Sequence, residues 1–384
     1  MKRCIYFSLL LRLLLGSNLS GEVSAAAVKE GVASISSDQA VSSYYEGWKK
    51  RFLKPATKVP GDFKIAFNRS GATVSEAMGY GMLITVLMAD ADPQARAAFD
   101  GLNRFRKRYP SKINPAFMCW KVPANEKTVS DDSATDGDMD MAFALLMAHR
   151  KWGDERYLAD AKSLIRALAT TLVRPDDTLR LGDWDTDDSK AEMIRTSDLM
   201  PTHFRAFAEA TGDQRWLQVE SRSYGILKEL QQNYAPATGL VPDFAVLKNG
   251  AWQPAKPNAL EGSHDGAYSY NACRVPWRIG WAAIALNDER ARAVLKPFIA
   301  WAVRSVQDPE DFKAGYQLDG KMLRGANFDS PCFISPTGVA ALAMGNRAWS
   351  DAVMIYGLKA HEGYYEESVN LLSLLVMSRA GRVP

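Results

Sequence analysis

The chain has 384 residues, of which 47% are hydrophobic, and its 47 basic and 44 acidic residues leave a formal net charge of +3. A chain of this length and apolar content can bury a large core in one domain. The near-neutral charge and the lack of a basic block argue against nucleic acid as a partner.

The first 26 residues have the pattern of a secretory signal peptide. Lys2 and Arg3 precede an apolar stretch at 5–15, and small residues at 23–27 offer an A-x-A-like cleavage site. The apolar stretch is too short for a permanent membrane anchor. We therefore expect a secreted or periplasmic monomer whose mature part, residues 27–384, forms a single domain.

Apolar helical segments alternate with short acidic breaks along the mature chain. The break at 153–158 recurs at 212–217, which is 59 residues later. A period near 60 residues fits a helical hairpin, and such hairpins must stack to bury their apolar faces. The predicted helices are 78–89, 94–108, 141–152, 155–172, 199–210, 214–232, 275–286, 289–305, 334–344, 348–360 and 369–377.

This pattern predicts an all-α fold in which the hairpins close into an (α/α)6 toroid, or barrel, with long loops forming a cleft. An open α-solenoid is the alternative architecture. Closure is favoured because Tyr364, Tyr365 and the apolar helix after them have the pattern of a last hairpin rather than a polar cap.

Four long polar-aromatic loops separate the helices, at 109–134, 175–197, 234–270 and 311–333. Loops of this length are often functional. Exposed aromatic rings among carboxylates and amides suit sugar rings, which stack on one face and hydrogen-bond through their hydroxyls. We interpret Trp252 as loop packing. The other aromatic residues of this kind are Trp120, Trp184, Tyr268, Tyr270 and Phe328.

The cysteines and histidines give no metal-ligand spacing, so the sequence predicts no metal site and no cofactor. The histidines are isolated along the chain, and we expect them to be structural or exposed. The three cysteines of the mature chain are compatible with one disulfide and a free thiol or with three buried thiols; they are Cys119, Cys273 and Cys332.

Three alternating acids, Asp136, Asp138 and Asp140, lead directly into a predicted helix. The start of a helix favours negative charge, but only one residue can be the N-cap. A calcium loop is excluded because Met141 and Met147 stand where an EF-hand needs Gly and Glu. The triplet therefore indicates carboxylates gathered in an active site that must hold or shift protons.

Two further acidic stretches stand apart from the rest of the chain. Glu76 opens the helix that carries Gly79 and Gly81, and Glu261 precedes Asp265 in a long loop. Two carboxyl groups across a glycosidic bond are what sugar hydrolysis requires, since one donates a proton and the other attacks or activates water.

On these motifs the chain resembles glycoside hydrolase family 8, the cellulase D family. The matching segments are Ser75–Gly81, Ala134–Asp138 with the following helix, and Asn271–Arg278, in that order along nearly the whole mature chain. The resemblance implies an (α/α)6 barrel, inversion at the anomeric carbon and no metal. It also implies a β-linked polysaccharide substrate such as cellulose, mixed-linkage glucan, xylan or chitosan.

The resemblance places the general acid at Glu76. It places at Asp136 the carboxylate that binds the sugar beside the scissile bond and helps organise the proton donor. Tyr270, from the aromatic loops, is an expected substrate contact as well. The sugar-contacting positions carried over from the family are Trp120, Trp184, Arg274 and Tyr365.

The general base is assigned differently, because many family members have Asp where this chain has Asn271. An amide does not usefully accept a proton at neutral pH. A second branch of the family has Asn there and takes its base from a Glu in the preceding loop, which implies Glu261. Asp265 is the alternative base, and Asn271 then orients substrate or water.

The sequence thus predicts a secreted inverting endo-β-1,4-glucanase, with a chitosanase or a lichenase as alternatives. A non-catalytic carbohydrate-binding protein is a further alternative, because Asn271 replaces the usual base. Chitosan is cationic, and it would suit a cleft that holds the acids Asp136, Asp138, Asp183, Asp185, Asp187 and Asp265.

Overall fold

A computed structural model describes residues 25–127, 129–187 and 192–379. Twelve α-helices within these ranges form most of the fold. They are α1 (Ala25–Phe52), α2 (Ser75–Leu87), α3 (Ala95–Arg108), α4 (Thr135–Trp152), α5 (Glu155–Thr171), α6 (Pro201–Thr211), α7 (Arg215–Tyr234), α8 (Val275–Ala285), α9 (Glu289–Ser305), α10 (Pro331–Ala343), α11 (Arg347–Gly357) and α12 (Tyr364–Ser378).

The even-numbered helices form a closed inner ring. Each packs against the next, from α2 to α4, α6, α8, α10 and α12, and α12 packs back against α2. The odd-numbered helices lie outside, each against an inner neighbour, and α1 lies against α12. The predicted all-α (α/α)6 barrel is therefore confirmed, and the open solenoid was the wrong alternative.

Burial follows this two-layer arrangement. Every residue of α10 from Pro331 to Ala341 is buried, which is expected for a helix covered on all sides. The outer helix α3 instead buries one stripe that includes Phe99, Leu102 and Phe105. The predicted helix bounds differ from the observed ones by a few residues, mainly because α4 and α2 begin earlier, in the acidic motifs themselves.

Helix α1 is the element that the hairpin pattern missed. Its Val41, Tyr44, Tyr45 and Trp48 are buried and spaced as one helical face. Trp48 Nε1 donates to Ser368 Oγ of α12 at 3.0 Å. The pairing of α1 with α12 completes the outer layer, so the first helix of the chain covers the last.

In the part of the chain that the structure describes, seven short strands lie within the loops between the helices. They form antiparallel ribbons rather than an extended sheet. Strands β3 and β4 flank the start of α2, and β5 precedes α6 and pairs with β6. The strands are β1 (Leu53–Pro55), β2 (Phe63–Ile65), β3 (Thr73–Val74), β4 (Lys121–Val122), β5 (Met193–Arg195), β6 (Phe244–Lys248) and β7 (Ala251–Pro254).

The glycines that follow Glu76 in α2 allow close packing against neighbouring segments. A Cβ on Gly79 would lie 2.7 Å from Asp140 Cβ of α4, and one on Gly81 would lie 2.4 Å from Ile65. The reciprocal contact is at Gly137, where a Cβ would lie 2.5 Å from the backbone of Ser75. Helices α2 and α4 therefore touch backbone to backbone, which brings their first turns together.

Three further sequence predictions concern the signal peptide, the absence of a membrane anchor and the cysteines. Residues 1–24 of the expected signal peptide lie outside the described residues. Within the part of the chain that the structure describes, no helix has the length and apolar character of a membrane span. The three cysteines that remain are buried free thiols, as in the second of the two cysteine arrangements considered above.

Candidate active site

A cleft of about 390 Å³ opens where the inner helices begin. Five of the six inner helices contribute a first-turn residue or the segment just before it. Helix N-termini favour negative charge, so this end of the barrel suits a group of carboxylates. The lining residues are Val74, Ser75, Glu76, Trp120, Ala134, Asp136, Arg195, Glu261, Tyr270, Asn271, Tyr365 and Glu366.

Glu76 lies in the first turn of α2, at the floor of the cleft. The Ser75 N–H donates to the Trp120 carbonyl at 2.9 Å, so the β3–β4 ribbon fixes where the helix begins. The Glu76 side chain is 20% exposed. Its Oε2 accepts from Arg274 Nη1 at 3.0 Å, and its Oε1 accepts from the Tyr364 hydroxyl at 3.2 Å.

The protonation of Glu76 is set by its surroundings. Burial raises its pKa to about 7, against the opposing charge of Arg274 and with the help of the Asp136 carboxylate. A carboxyl group with this pKa carries a proton in much of the population at neutral pH and can act as a proton donor.

Asp136 lies one residue into α4 and faces Glu76 across Arg274. Its Oδ2 accepts from Arg274 Nη1 at 2.9 Å, and its Oδ1 lies 3.8 Å from Arg195 Nη1. Burial opposes its ionisation, but the two guanidinium groups prevail and lower its pKa. Two neighbouring carboxyl groups thus have pKa values moved in opposite directions, an arrangement typical of acid–base sites.

The other two acids of the triplet do not reach the cleft, which corrects the prediction of three gathered carboxylates. Asp138 Oδ1 accepts from the Met118 backbone N–H at 3.0 Å, and burial raises its pKa well above the usual range. Asp140 is bound by Arg278 at 2.6 and 2.7 Å and by His203 at 2.8 Å. Both side chains are buried in the interior of the barrel, and neither lines the cleft.

The wider cluster of six aspartates is also not formed. Asp136 alone among them lines the cleft. Asp183 is buried and accepts from Ser111 Oγ and the Ser133 backbone N–H. Asp185 pairs with Arg174 at 2.6 Å. The physical reason is that Asp183 is bound by serines of the preceding loop and Asp185 by an arginine, so neither carboxylate is available to the cleft.

Glu261 reaches the opposite side of the cleft from the loop before α8. Its side chain is 49% exposed, and its Oε2 accepts from Asn271 Nδ2 at 2.9 Å. Its Oε1 lies 3.3 Å from Arg195 Nη2. The two sequence-predicted carboxyl groups, Glu76 and Glu261, therefore line one cleft and face the same volume.

Asp265, by contrast, is occupied within the loop. It is 3% exposed, and its two oxygens accept from the backbone N–H groups of Leu260, Glu261 and Gly262 at 2.7, 3.1 and 2.9 Å. It holds the turn that presents Glu261. Its carboxylate does not line the cleft.

Arg274 links the two sides of the site. Besides Glu76 and Asp136, it donates from Nη1 to the Tyr80 hydroxyl at 3.1 Å and from Nη2 to Asn271 Oδ1 at 2.7 Å. Asn271 then donates to Glu261, so one continuous chain of hydrogen bonds runs from Glu76 to Glu261. The amide thus connects two charged groups.

The predicted aromatic contacts divide into two groups. Trp120, Tyr270 and Tyr365 line the cleft, and Trp120 is 40% exposed. Trp184 is also exposed, but it lies on the neighbouring loop and does not line the cleft. Trp252 is buried, in agreement with its interpretation as loop packing. A partly open row of rings therefore borders the two carboxyl groups.

Sequence reasoning missed three residues of the site. Arg195 contacts two of the cleft carboxylates, Tyr364 binds Glu76, and Glu366 lines the rim beside Tyr365. Tyr364 and Glu366 lie in the first turn of α12, as Glu76 lies in that of α2, and this shared position is the signal that could have identified them. Arg195 instead ends strand β5, before α6 begins.

Two further cavities of the described residues lie away from this cleft, and one of them, of about 410 Å³, is lined by Glu310, Asp329 and Glu362. The other, of about 610 Å³ between α7 and α9, has no carboxyl group among the described residues that line it. Within the described ranges there is also no group of three His, Cys, Asp or Glu side chains arranged to hold a metal ion.

Comparison with known proteins gives consistent matches along the chain. The family model described as Glycosyl hydrolases family 8 matches residues 22–379. A beta-glucanase from Niallia circulans is 40% identical over 349 residues, covering 89% of this chain and 84% of its own. An endoglucanase from Bacillus sp. (strain KSM-330) is 35% identical over 363 residues, covering 90% and 77%.

A solved structure agrees as well. The apo structure of a beta-1,3-1,4-glucanase from Paenibacillus sp. X4 superposes with a TM-score of 0.87 at 40% identity, covering 90% of this chain and 93% of that one.

Proposed function

The chain belongs to glycosyl hydrolase family 8, and on that premise we propose that it is an inverting endo-β-1,4-glucanase. In this proposal Glu76 is the general acid and Glu261 the general base. The observation that carries it is that both carboxyl groups line one cleft, with Asn271 and Arg274 between them. In this proposal Glu261 takes the role of general base that an Asp at the position of Asn271 has in many family members, as in the second branch described above.

The acid side of the mechanism follows from the environment of Glu76. Its raised pKa keeps a proton available at neutral pH for the oxygen of the leaving sugar. Asp136 stays ionised and can accept a hydrogen bond from a sugar hydroxyl beside the scissile bond. Its negative charge also helps keep Glu76 protonated.

The base side follows from the exposure of Glu261. A general base for inversion needs access to water between itself and the sugar. The Glu261 carboxylate is half-exposed, and Asn271 and Arg195 each contact one of its oxygens. Asp265 is a poorer candidate because its oxygens already accept three backbone N–H groups.

Two substrate classes follow from these comparisons. Cellulose-type β-1,4-glucan is the first, since one relative is an endoglucanase. Mixed-linkage glucan is the second, favoured by the 40% identity to a protein described as a beta-1,3-1,4-glucanase. The six aspartates give no support to chitosan as substrate, because Asp136 is the one member of that set that lines the cleft. A purely carbohydrate-binding role is disfavoured by the presence of Glu261.

Reducing-sugar release from carboxymethylcellulose, lichenan, xylan and chitosan tests the substrate class. The Glu261→Gln variant tests the base, and we expect it to abolish turnover while cello-oligosaccharide binding persists. Glu366→Gln removes the same charge from the same cleft and should lower turnover far less. Near-normal turnover of Glu261→Gln would reject Glu261 as the base.

The proposal includes export of the protein, with removal of residues 1–26, and a monomeric mature enzyme. N-terminal sequencing of the protein from culture medium or periplasm tests the first point. Light scattering of the purified enzyme tests the second.

A further inference from the structure

Arg195 occupies a position in the cleft that the acid–base pair alone does not explain. It is the last residue of β5, where it pairs in register with Phe244 of β6, and its guanidinium lies 5.5 Å from the Phe244 ring centroid. The side chain is only 11% exposed. Its direction is therefore set by the ribbon and by the ring beneath it.

The guanidinium of Arg195 lies among three carboxylates. Its Nη1 is 3.4 Å from Asp198 Oδ2 and 3.8 Å from Asp136 Oδ1, and its Nη2 is 3.3 Å from Glu261 Oε1. The three carboxylates belong to three segments of the chain: the turn after β5, the first turn of α4, and the loop before α8. Arg195 thus joins the base loop to the first turn of α4.

The Glu261 side chain has few other restraints. Asp265 fixes the backbone of the loop, but the residues at 256–261 are exposed. Among the described residues, Asn271 and Arg195 are the two groups whose polar atoms contact the Glu261 carboxylate. Loss of either contact would leave a half-exposed glutamate free to change rotamer.

Asp198 explains how Arg195 is itself held. It is 2% exposed and lies in the short 3-10 turn Thr196–Asp198 that follows β5. Its Oδ2 faces Arg195, and its Oδ1 has no hydrogen-bond partner among the described residues. A buried carboxylate with a single charged partner contributes little net stability. Its placement is better explained by the orientation that it gives to Arg195.

From these contacts we infer that Arg195, oriented by Asp198, is a positioning residue that holds the Glu261 carboxylate in place to activate water. The inference rests on the proposed role of Glu261 as the base. Arg195 acts through Glu261, so its removal lowers the rate of the chemical step more than it weakens glucan binding.

Substitutions at Arg195 separate this role from simple binding. We expect Arg195→Gln to lower kcat by about 10²-fold, the size of effect that a small misplacement of a catalytic group produces, with KM changed by less than about 3-fold. Arg195→Lys keeps the charge and should recover about tenfold of that loss. Arg222→Gln is the matched control, since it removes a 3.4 Å arginine–aspartate contact outside the cleft and should leave kcat unchanged.

A double-mutant cycle tests whether the effect passes through the base. In the Glu261→Gln background, Arg195→Gln should cause a much smaller further loss of the residual kcat, because two residues acting as a unit are not additive. Any remaining loss measures the contact of Arg195 with Asp136. Asp198→Asn should lower kcat by about tenfold in the wild-type background and also add much less in the Glu261→Gln background. Thermal unfolding of each variant shows whether it is folded.

The outcomes are distinct. A rise in KM with kcat unchanged would overturn the inference in favour of direct sugar binding by Arg195, and fully additive losses would overturn it in favour of an independent role. If the wild-type enzyme cleaves no glucan, the proposed function itself fails. If it cleaves glucan and the Arg195 variants are as fast, the positioning role alone fails.

Discussion

Replacing Asp136 with Asn should move the pH dependence of the enzyme toward acid. The carboxyl groups of Glu76 and Asp136 accept from the same nitrogen of Arg274 at 3.0 and 2.9 Å, so their nearest oxygens are at most 5.9 Å apart by addition of the two distances. A unit negative charge at that separation contributes about 0.7 kcal/mol in a water-like medium and about 2.8 kcal/mol at an effective dielectric constant of about 20. Because about 1.4 kcal/mol corresponds to one pH unit, removal of the Asp136 charge should lower the pKa of Glu76 by about 0.5 to 2.

The sign follows from the role of Glu76 as the protonated acid. The wild-type value of kcat/KM should fall as pH rises through about 7, where Glu76 loses its proton. In Asp136→Asn that fall should begin at lower pH, in addition to an overall loss of activity. The assay is kcat/KM on a soluble glucan between pH 4 and pH 9, at roughly constant ionic strength.

The matched control is Asp138→Asn, two residues further along α4. Burial raises the pKa of Asp138, and its carboxyl group faces the Met118 backbone rather than the cleft. The Asp138→Asn substitution should not change the pH at which kcat/KM falls on the alkaline side of the profile. A basic limb that stays at the wild-type pH in Asp136→Asn, or moves to higher pH, would refute the electrostatic account of Glu76.

Three further predictions concern stability and binding. Gly137→Ala should lower the free energy of unfolding in urea by about 1–3 kcal/mol, because its Cβ would meet the backbone of α2 at 2.5 Å. Gly225→Ala, in the middle of α7 with nothing within 4 Å, should instead raise it by about 0.5–1 kcal/mol, and equal effects would contradict the packing argument. Asp140→Asn should cost about 3–5 kcal/mol in the same experiment, because it leaves the buried charge of Arg278 without its partner; a loss below about 1 kcal/mol would reject that pairing as a core contact. Trp120→Ala should raise KM for cello-oligosaccharides by about tenfold, equal to about 1.4 kcal/mol, with kcat nearly unchanged, and an unaltered KM would exclude stacking at this ring.

The barrel was predictable because apolar helical segments alternate regularly with short acidic breaks along the sequence. Helix α1 was missed because no such break precedes it, although Val41, Tyr44, Tyr45 and Trp48 have helical spacing. The ribbons within the loops were also missed, since strands of two to five residues carry too little pattern to be recognised.

The site was predictable at Glu76, Asp136 and Glu261, because acidic residues in distinctive motifs indicate acid–base chemistry. The alternating triplet misled for two reasons. Residues two apart on a helix point about 200° apart, so Asp138 lies on the opposite face from Asp136. Asp140 lies one turn further along the helix, where Arg278 and His203 bind it. Arg195 has no local signal of its own. It joins the site through a β-ribbon and through contacts with residues 59 and 66 positions away in the chain.

The central claim is that Glu76 and Glu261 act together in a single displacement by water. Proton NMR during hydrolysis of a β-linked cello-oligosaccharide by the wild-type enzyme tests it most directly, because the anomeric protons of the new reducing end are resolved before mutarotation. We expect the α-anomer to form first. First appearance of the β-anomer would contradict the account, since retention requires one carboxylate to attack the sugar itself.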